Sequence, residues 1–273
     1  MTKIIKKVLL CPPDYFQVRY QINPWMRPGS VDQAKAKEQW LTLLNLFRSL
    51  GAKAETVKPQ PDLPDMVFSA DQALIKGEKA ILANFRFKQR RGEGKIYRQW
   101  LENNGFRIFS LPAFSYFEGG DALEADNKVI LGYGFRTSFQ TAKIISNLLK
   151  IPVITLKLVN PYFYHLDTCL FIVNQKTAFY YPPAFDKNSK TKLACLFTNL
   201  IPLPENEASA FAANSLITDY QAIVPQKSPF LAKNLKKFGY RVHQVDISQF
   251  LKAGGGIHCL AITTHTTHTQ LAN

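Results

Sequence analysis

The chain has 273 residues, 46% hydrophobic and 20% charged, a globular balance that excludes a disordered polypeptide. Its 34 Lys+Arg against 20 Asp+Glu give a net charge of +14. The basic residues are dispersed and accompany no nucleic-acid motif, so they read as a lysine-rich surface, with nucleic-acid binding the alternative. Cys11, Cys169, Cys195 and Cys259 form no CxxC pair, which argues against a zinc ribbon or a disulfide framework. No apolar run approaches the ~20 residues of a membrane span, and a cytoplasmic protein is the expectation.

In chain order, an apolar strand (KKVLLCPP) ends at Cys11-Pro12-Pro13. Residues Val31 to Gly51 form a predicted helix: Trp40, Leu43, Leu44, Phe47 and Leu50 make a stripe of period ~3.6, and Gly51 suits its C-cap. A short strand (AETV) follows. From Pro64 comes PDMVFSADQALIKGEKAILAN, an alternating strand, a polar turn and a returning strand. The same design recurs in FEGGDALEADNKVILGYG from Phe117, YFYHLDTCLFIVNQKTAFYYP from Tyr162 and AFAANSLITDYQAIVPQ from Ala210. Predicted helices (Glu93 to Gly105, Thr137 to Lys150, Ser228 to Gly239) and short strands (RIFSL, VITLKL, RVHQVD) lie between the hairpins. A last copy, GGIHCLAITTH from Gly255, lacks a returning strand, and the N-terminal KKVLLCPP can supply it and close a ring.

This is an internal repeat of about 45–50 residues. Units of hairpin, helix and strand around one centre make an α/β fold and a single domain over residues 1–273. In such a ring the polar interruptions of the hairpins converge: Asp65 and Asp71, Glu118 and Asp121, His165 and Asp167, Asn214, and Cys259. Packing does not require polar residues there. An axis of carboxylates beside a thiol and an imidazole suits a cationic substrate next to a nucleophile. Carboxylates hold the planar N–H fork of a guanidinium, the cation helps the thiol ionise, and a histidine protonates the leaving amine. The plainer alternative makes Cys259 a small core residue and His165 a satisfied core histidine. His265 and His268 in HTTHTQLAN have a spacing that could bind metal on a helix, but their Thr-rich terminal setting points to a strand end.

With these residues in place, the sequence resembles the guanidino-group modifying enzymes, which include arginine deiminases, dimethylarginine dimethylaminohydrolases, arginine dihydrolases and amidinotransferases. The resemblance runs through CPPDYFQVRYQINPWM (11–26), PDMVFSAD (64–71), FEGGDAL (117–123), GYGFRT (132–137), YHLDT (164–168) and GGGIHCL (254–260). It implies a five-bladed α/β propeller (the pentein fold), a small-molecule substrate, and neither cofactor nor metal. It casts Cys259 as the nucleophile that forms a thiouronium, His165 as acid and base, and Glu118 as its orienting partner or a holder of guanidinium nitrogen. By the same resemblance Asp71, Asp167 and Asp65 bind substrate, Arg91 and Arg136 grip its α-carboxylate, and Asn23 lies on a loop over the pocket. Relatives with the CPPDYF and NPWM segments often carry Asn where this chain has Asp71, and that Asn is associated with double hydrolysis. The carboxylate here implies a single hydrolysis, while Ala70, where dimethylarginine hydrolases carry a glutamate, weakens the methylated-substrate assignment.

Overall fold

A computed structural model describes the backbone of residues 2–268 and the side chains of residues 4–264. The His265/His268 pair therefore falls outside the described side chains.

Five three-stranded sheets repeat one topology, an antiparallel hairpin whose second strand is joined by a parallel third. The chain begins with β1 (Thr2–Leu10), α1 (Gln33–Ser49) and β2 (Lys53–Thr56). The next unit is β3 (Ala73–Lys76), β4 (Lys79–Leu82), α2 (Gly94–Asn103) and β5 (Arg107–Phe109). It is followed by β6 (Ala122–Ala125), β7 (Lys128–Tyr133), α3 (Thr141–Leu149) and β8 (Val153–Lys157). Then come β9 (Leu170–Ile172), β10 (Thr177–Tyr180), α4 (Lys187–Leu196) and β11 (Asn199–Pro202). After α5 (Glu205–Ser209) the fourth hairpin and its strand are β12 (Leu216–Thr218), β13 (Gln221–Pro225), α6 (Pro229–Lys237) and β14 (Arg241–Val245), and α7 (Ser248–Leu251) leads to β15 (Ile262–His268).

The expected ring closure is present. β15 runs antiparallel to β1, from Leu9 opposite Ile262 to Thr2 opposite His268, and β2 lies parallel on the other side of β1. The first strands of all five hairpins line an axial cavity of about 710 Å³, so the architecture is a five-bladed α/β propeller.

Local chemistry accounts for the elements. Asp32 caps α1 by accepting from Lys35 N at 3.0 Å, and Ala36, Trp40, Leu43, Leu44 and Phe47 bury the predicted face. Hairpin turns sit on left-handed residues, Gly77, Asp126 and Asp219, or on Asn174, whose side chain accepts from Lys176 N and Thr177 N. The middle strands carry the core: Ile81, Ile130, Leu131, Phe179 and Ile223 are fully buried. Helix α4 had no counterpart in the sequence reading. Its segment KNSKTKLACL buries only Ser189 and Leu193, too few apolar positions to make a visible stripe.

Candidate active site

Each hairpin is entered through a short turn, and the turns face the axis. Single-turn 3-10 segments carry Asp65, Asp71, Asp121 and Asp167, and Glu118 and His165 immediately precede theirs. Extended backbone at Glu118 and His165 projects their side chains away from the turn, while the turn itself reverses the chain into the strand. Glycines let the turns approach one another. A Cβ on Gly119 would lie 2.1 Å from Ala70 O, and one on Gly120 would lie 2.7 Å from Asp71 Oδ1 and 2.9 Å from His165 Nδ1. The run before Cys259 works likewise: a Cβ on Gly255 would enter the Phe68 ring and one on Gly256 would meet Asn214.

Cys259 is 2% exposed. Its thiol donates to Asp167 Oδ2 at 3.3 Å and receives Asn214 Nδ2 at 3.1 Å. Asn214 also accepts from Cys259 N and donates to Asp167 O, so one amide fastens the Cys259 turn to the His165–Asp167 turn. His165 Nε2 lies 2.9 Å from Glu118 Oε2, and its Nδ1 lies 3.4 Å from Asp71 Oδ1. Glu118 Oε2 also accepts from Arg136 Nη1 at 2.9 Å. Arg136 is buried, donates to Ile22 O, and is sandwiched by the Phe87 and Tyr164 rings. Asp121 is fully spent, accepting from Leu166 N and Thr137 N, and serves as a clamp between neighbouring units.

The arginine expectation is half corrected. Arg136 reaches the site, but Arg91 does not: its guanidinium donates to the carbonyls of Phe85 and Arg86 on the surface side. Arg90 takes the inward place. It meets Asp71 Oδ2 at 2.5 Å, chelates Glu93, and donates to Asp65 O. The signal in the sequence was Glu93, three residues on, where a turn pairs it with Arg90 rather than Arg91. Asn23 lies on the expected loop, yet its amide is engaged with backbone: Nδ2 donates to Ala253 O, and Oδ1 accepts from Trp25 N and Met26 N. Tyr20, which donates to Asp65 at 2.8 Å, and Tyr164, which donates to Gly254 O at 2.6 Å, were not singled out from sequence.

The electrostatics divide the groups sharply. Burial, then the charges of Asp167 and Asp71, push the Cys259 thiol well above its usual range. Burial opposes charge on His165, but Asp71, Glu118 and Asp121 outweigh it and raise the imidazole to about 9. Glu118 resists burial because Arg136 and His165 hold it far below the usual carboxylate range. Burial raises Asp65 despite Arg90. Four carboxylate oxygens, Asp65 Oδ1, Asp71 Oδ1, Glu118 Oε1 and Asp167 Oδ1, are buried without a hydrogen-bond partner. Orphaned acceptors of this kind are costly and call for a ligand with donors. One ligand atom each of Asp71, Glu118 and His165 fall within 4.8 Å of one another, a spacing that could hold a metal ion. Arg90 and Arg136 already neutralise both carboxylates and His165 carries a proton, so the set is an acid–base array first.

A family model described as "N,N dimethylarginine dimethylhydrolase, eukaryotic" matches residues 13–266. The chain belongs to that family. Among dimethylarginine dimethylhydrolase relatives, the dimethylarginine dimethylaminohydrolase of Mycobacterium tuberculosis is 35% identical over 95% of this chain and 86% of its own length. The bifunctional arginine dihydrolase/ornithine cyclodeaminase ArgZ of Synechocystis is 37% identical over 94% of this chain, which spans only 37% of that longer protein. The crystal structure of the ArgZ N-terminal domain bound to product superposes with a TM-score of 0.92 at 36% identity, covering 95% of this chain and 97% of that one. A dimethylarginine dimethylaminohydrolase adduct with S-methyl-L-thiocitrulline, at 22% identity and a TM-score of 0.83, shares the fold. The family fold is thus the propeller, and its members, like this chain, are hydrolases of C–N bonds in linear amidines.

Proposed function

We propose that this protein hydrolyses the guanidinium group of arginine or N-methylated arginine once, giving citrulline and ammonia or a methylamine. The observation that carries this reading is the set of four orphaned carboxylate oxygens around a buried thiol and a protonated imidazole. A guanidinium offers N–H donors in a plane and one positive charge, which answers both the missing hydrogen bonds and the net anionic field of the acids.

The same field keeps Cys259 as a thiol while the site is empty. A bound cation offsets Asp167 and Asp71, so the thiol releases its proton to solvent only as substrate binds. Sulfur then attacks the guanidinium carbon. Protonated His165 gives its proton to the departing nitrogen, and the neutral imidazole next deprotonates the water that attacks the thiouronium. Glu118 orients His165 and Arg136 fixes Glu118. Asp71 and Asp167 hold the guanidinium, and Asp65 adds a further buried acid from the preceding turn. Arg136, with Arg90 in the place expected of Arg91, supplies positive charge for the substrate carboxylate. Asn23 shapes the loop above it. The whole of residues 1–273 acts as one catalytic unit without a cofactor.

Product analysis tests this directly. Incubation with arginine, monomethylarginine and dimethylarginine is expected to give citrulline, and Cys259→Ser is expected to give none. Ornithine is the product of the second reading, arginine dihydrolysis, which the similarity to ArgZ favours. Absence of any ureido product or ornithine from all three substrates would refute both readings.

A further inference from the structure

The axial cavity reaches the site from the side of the hairpin turns. Gly77, Asp126, Asn174 and Asp219 of the hairpin turns line it, whereas Asp65, Glu118, His165 and Arg136 do not. Channel and site meet at Asp167 and His258, both of which line the cavity. His258 Nδ1 lies 2.9 Å from Asp167 Oδ2, the oxygen that also receives the Cys259 thiol at 3.3 Å. The His258 side chain is 23% exposed and that of Asp167 only 1%. A carboxylate oxygen only accepts, so Nδ1 is the donor.

Asp167 has its backbone fixed by Asn214, which donates to its carbonyl. Its carboxylate turns in a broad, two-fold well, so the backbone alone does not decide which oxygen faces sulfur. The thiol is a weak donor and the substrate is present only during turnover. Oδ1 has no hydrogen-bond partner. The imidazole is thus the strong donor that distinguishes the two oxygens.

We propose that His258 is a positioning residue that works from the axial channel, holding Asp167 Oδ2 toward the thiol so that Oδ1 is presented to the guanidinium. The inference rests on the hydrolase reading of the site. His258 touches neither substrate nor reacting atoms in this role. Its N–H also offsets the charge of Asp167, which otherwise opposes ionisation of Cys259.

Two variants of the full chain separate this role from simple space-filling. His258→Ala removes the donor. His258→Asn places an amide N–H close to where Nδ1 sits and lacks the second ring nitrogen. The Ala variant is expected to lose about 10- to 100-fold in kcat/KM, the consequence of a misplaced buried acceptor. Alkylation of Cys259 by iodoacetamide, measured without substrate, is expected to slow in the Ala variant as well. The Asn variant should return most of both properties. An Ala variant equal to wild type, or an Asn variant no better than Ala at equal thermal stability, overturns the proposal. The alkylation contrast needs no turnover, so it tests His258 even if wild type yields no product, a result that would refute the hydrolase reading separately.

Discussion

Cys259 and His165 are buried among the same acids, whose charges favour the protonated form of each, so in the empty site the thiol stays neutral while the imidazole is charged. The order of proton movements follows. In the proposed reaction His165 starts protonated, so it serves the leaving nitrogen first and the water second. With the imidazole raised to about 9, its protonated form persists through neutral pH and is lost as pH rises through about 9. The kcat/KM profile, which reports the free enzyme, is therefore expected to keep its acid-catalysed step up to about pH 9 and to fall above it. An alkaline limb near the ordinary imidazole value of about 6.5 would contradict the assigned partners of His165. The two adjacent arginines make a second test at this scale. Arg90 is 3% exposed between Asp71 and Glu93, and its removal strands two buried carboxylates. Arg90→Ala is expected to destabilise the protein by about 3–5 kcal/mol, measured by denaturant unfolding, and to abolish turnover. Arg91→Ala, which gives up one half-buried and one exposed hydrogen bond to loop carbonyls, is expected to stay within about 1 kcal/mol and near wild-type activity.

The turns that enter the hairpins are the elements that build the site, and their glycines differ in kind from those of the turns inside the hairpins. Gly77 has φ +58 and open space around it, so it serves the conformation of a turn. Gly120 needs no left-handed backbone and instead leaves room between Asp71 and His165. Gly77→Ala is expected to cost about 1 kcal/mol and leave kcat/KM unchanged. Gly120→Ala keeps the strands but forces the two side chains apart, and kcat/KM is expected to fall about 100-fold with the far-ultraviolet circular dichroism intact. Equal activity losses in both variants would contradict the division. The contrast also explains what the sequence disclosed. Polar residues at matching points of a repeat announce a shared centre, so Glu118, His165, Asp167, Asn214 and Cys259 were legible as a set. Which of Arg90 and Arg91 turns inward depends on one residue of turn phase, which periodicity does not resolve. His258 was hidden because its partner, Asp167, lies on another blade, and α4 because its face is mostly polar.

At the scale of the molecule, no blade holds the site alone. Acids come from two blades, the imidazole and Asp167 from a third, Asn214 from a fourth and the thiol from the blade closed by β1. Geometry at the axis therefore depends on closure of the ring, and closure depends on pairing between the two ends of the described chain. Thr2 lies opposite His268, and pairing continues to Leu9 opposite Ile262. Covalent continuity matters less than this pairing, because each blade meets its neighbours through side chains and turns such as Ala70 N to Cys259 O at 3.0 Å. A circular permutant that joins the ends by a short glycine-serine linker and opens at the exposed Asp126–Asn127 turn keeps every pairing of the ring. It is expected to retain kcat/KM within about tenfold of wild type. Deletion of residues 2–10 removes the middle strand of its blade and is expected to abolish both turnover and cooperative unfolding. A permutant without activity but with native circular dichroism would show that the blades need the order of the chain, and not only its contacts, to bring the thiol to the acids.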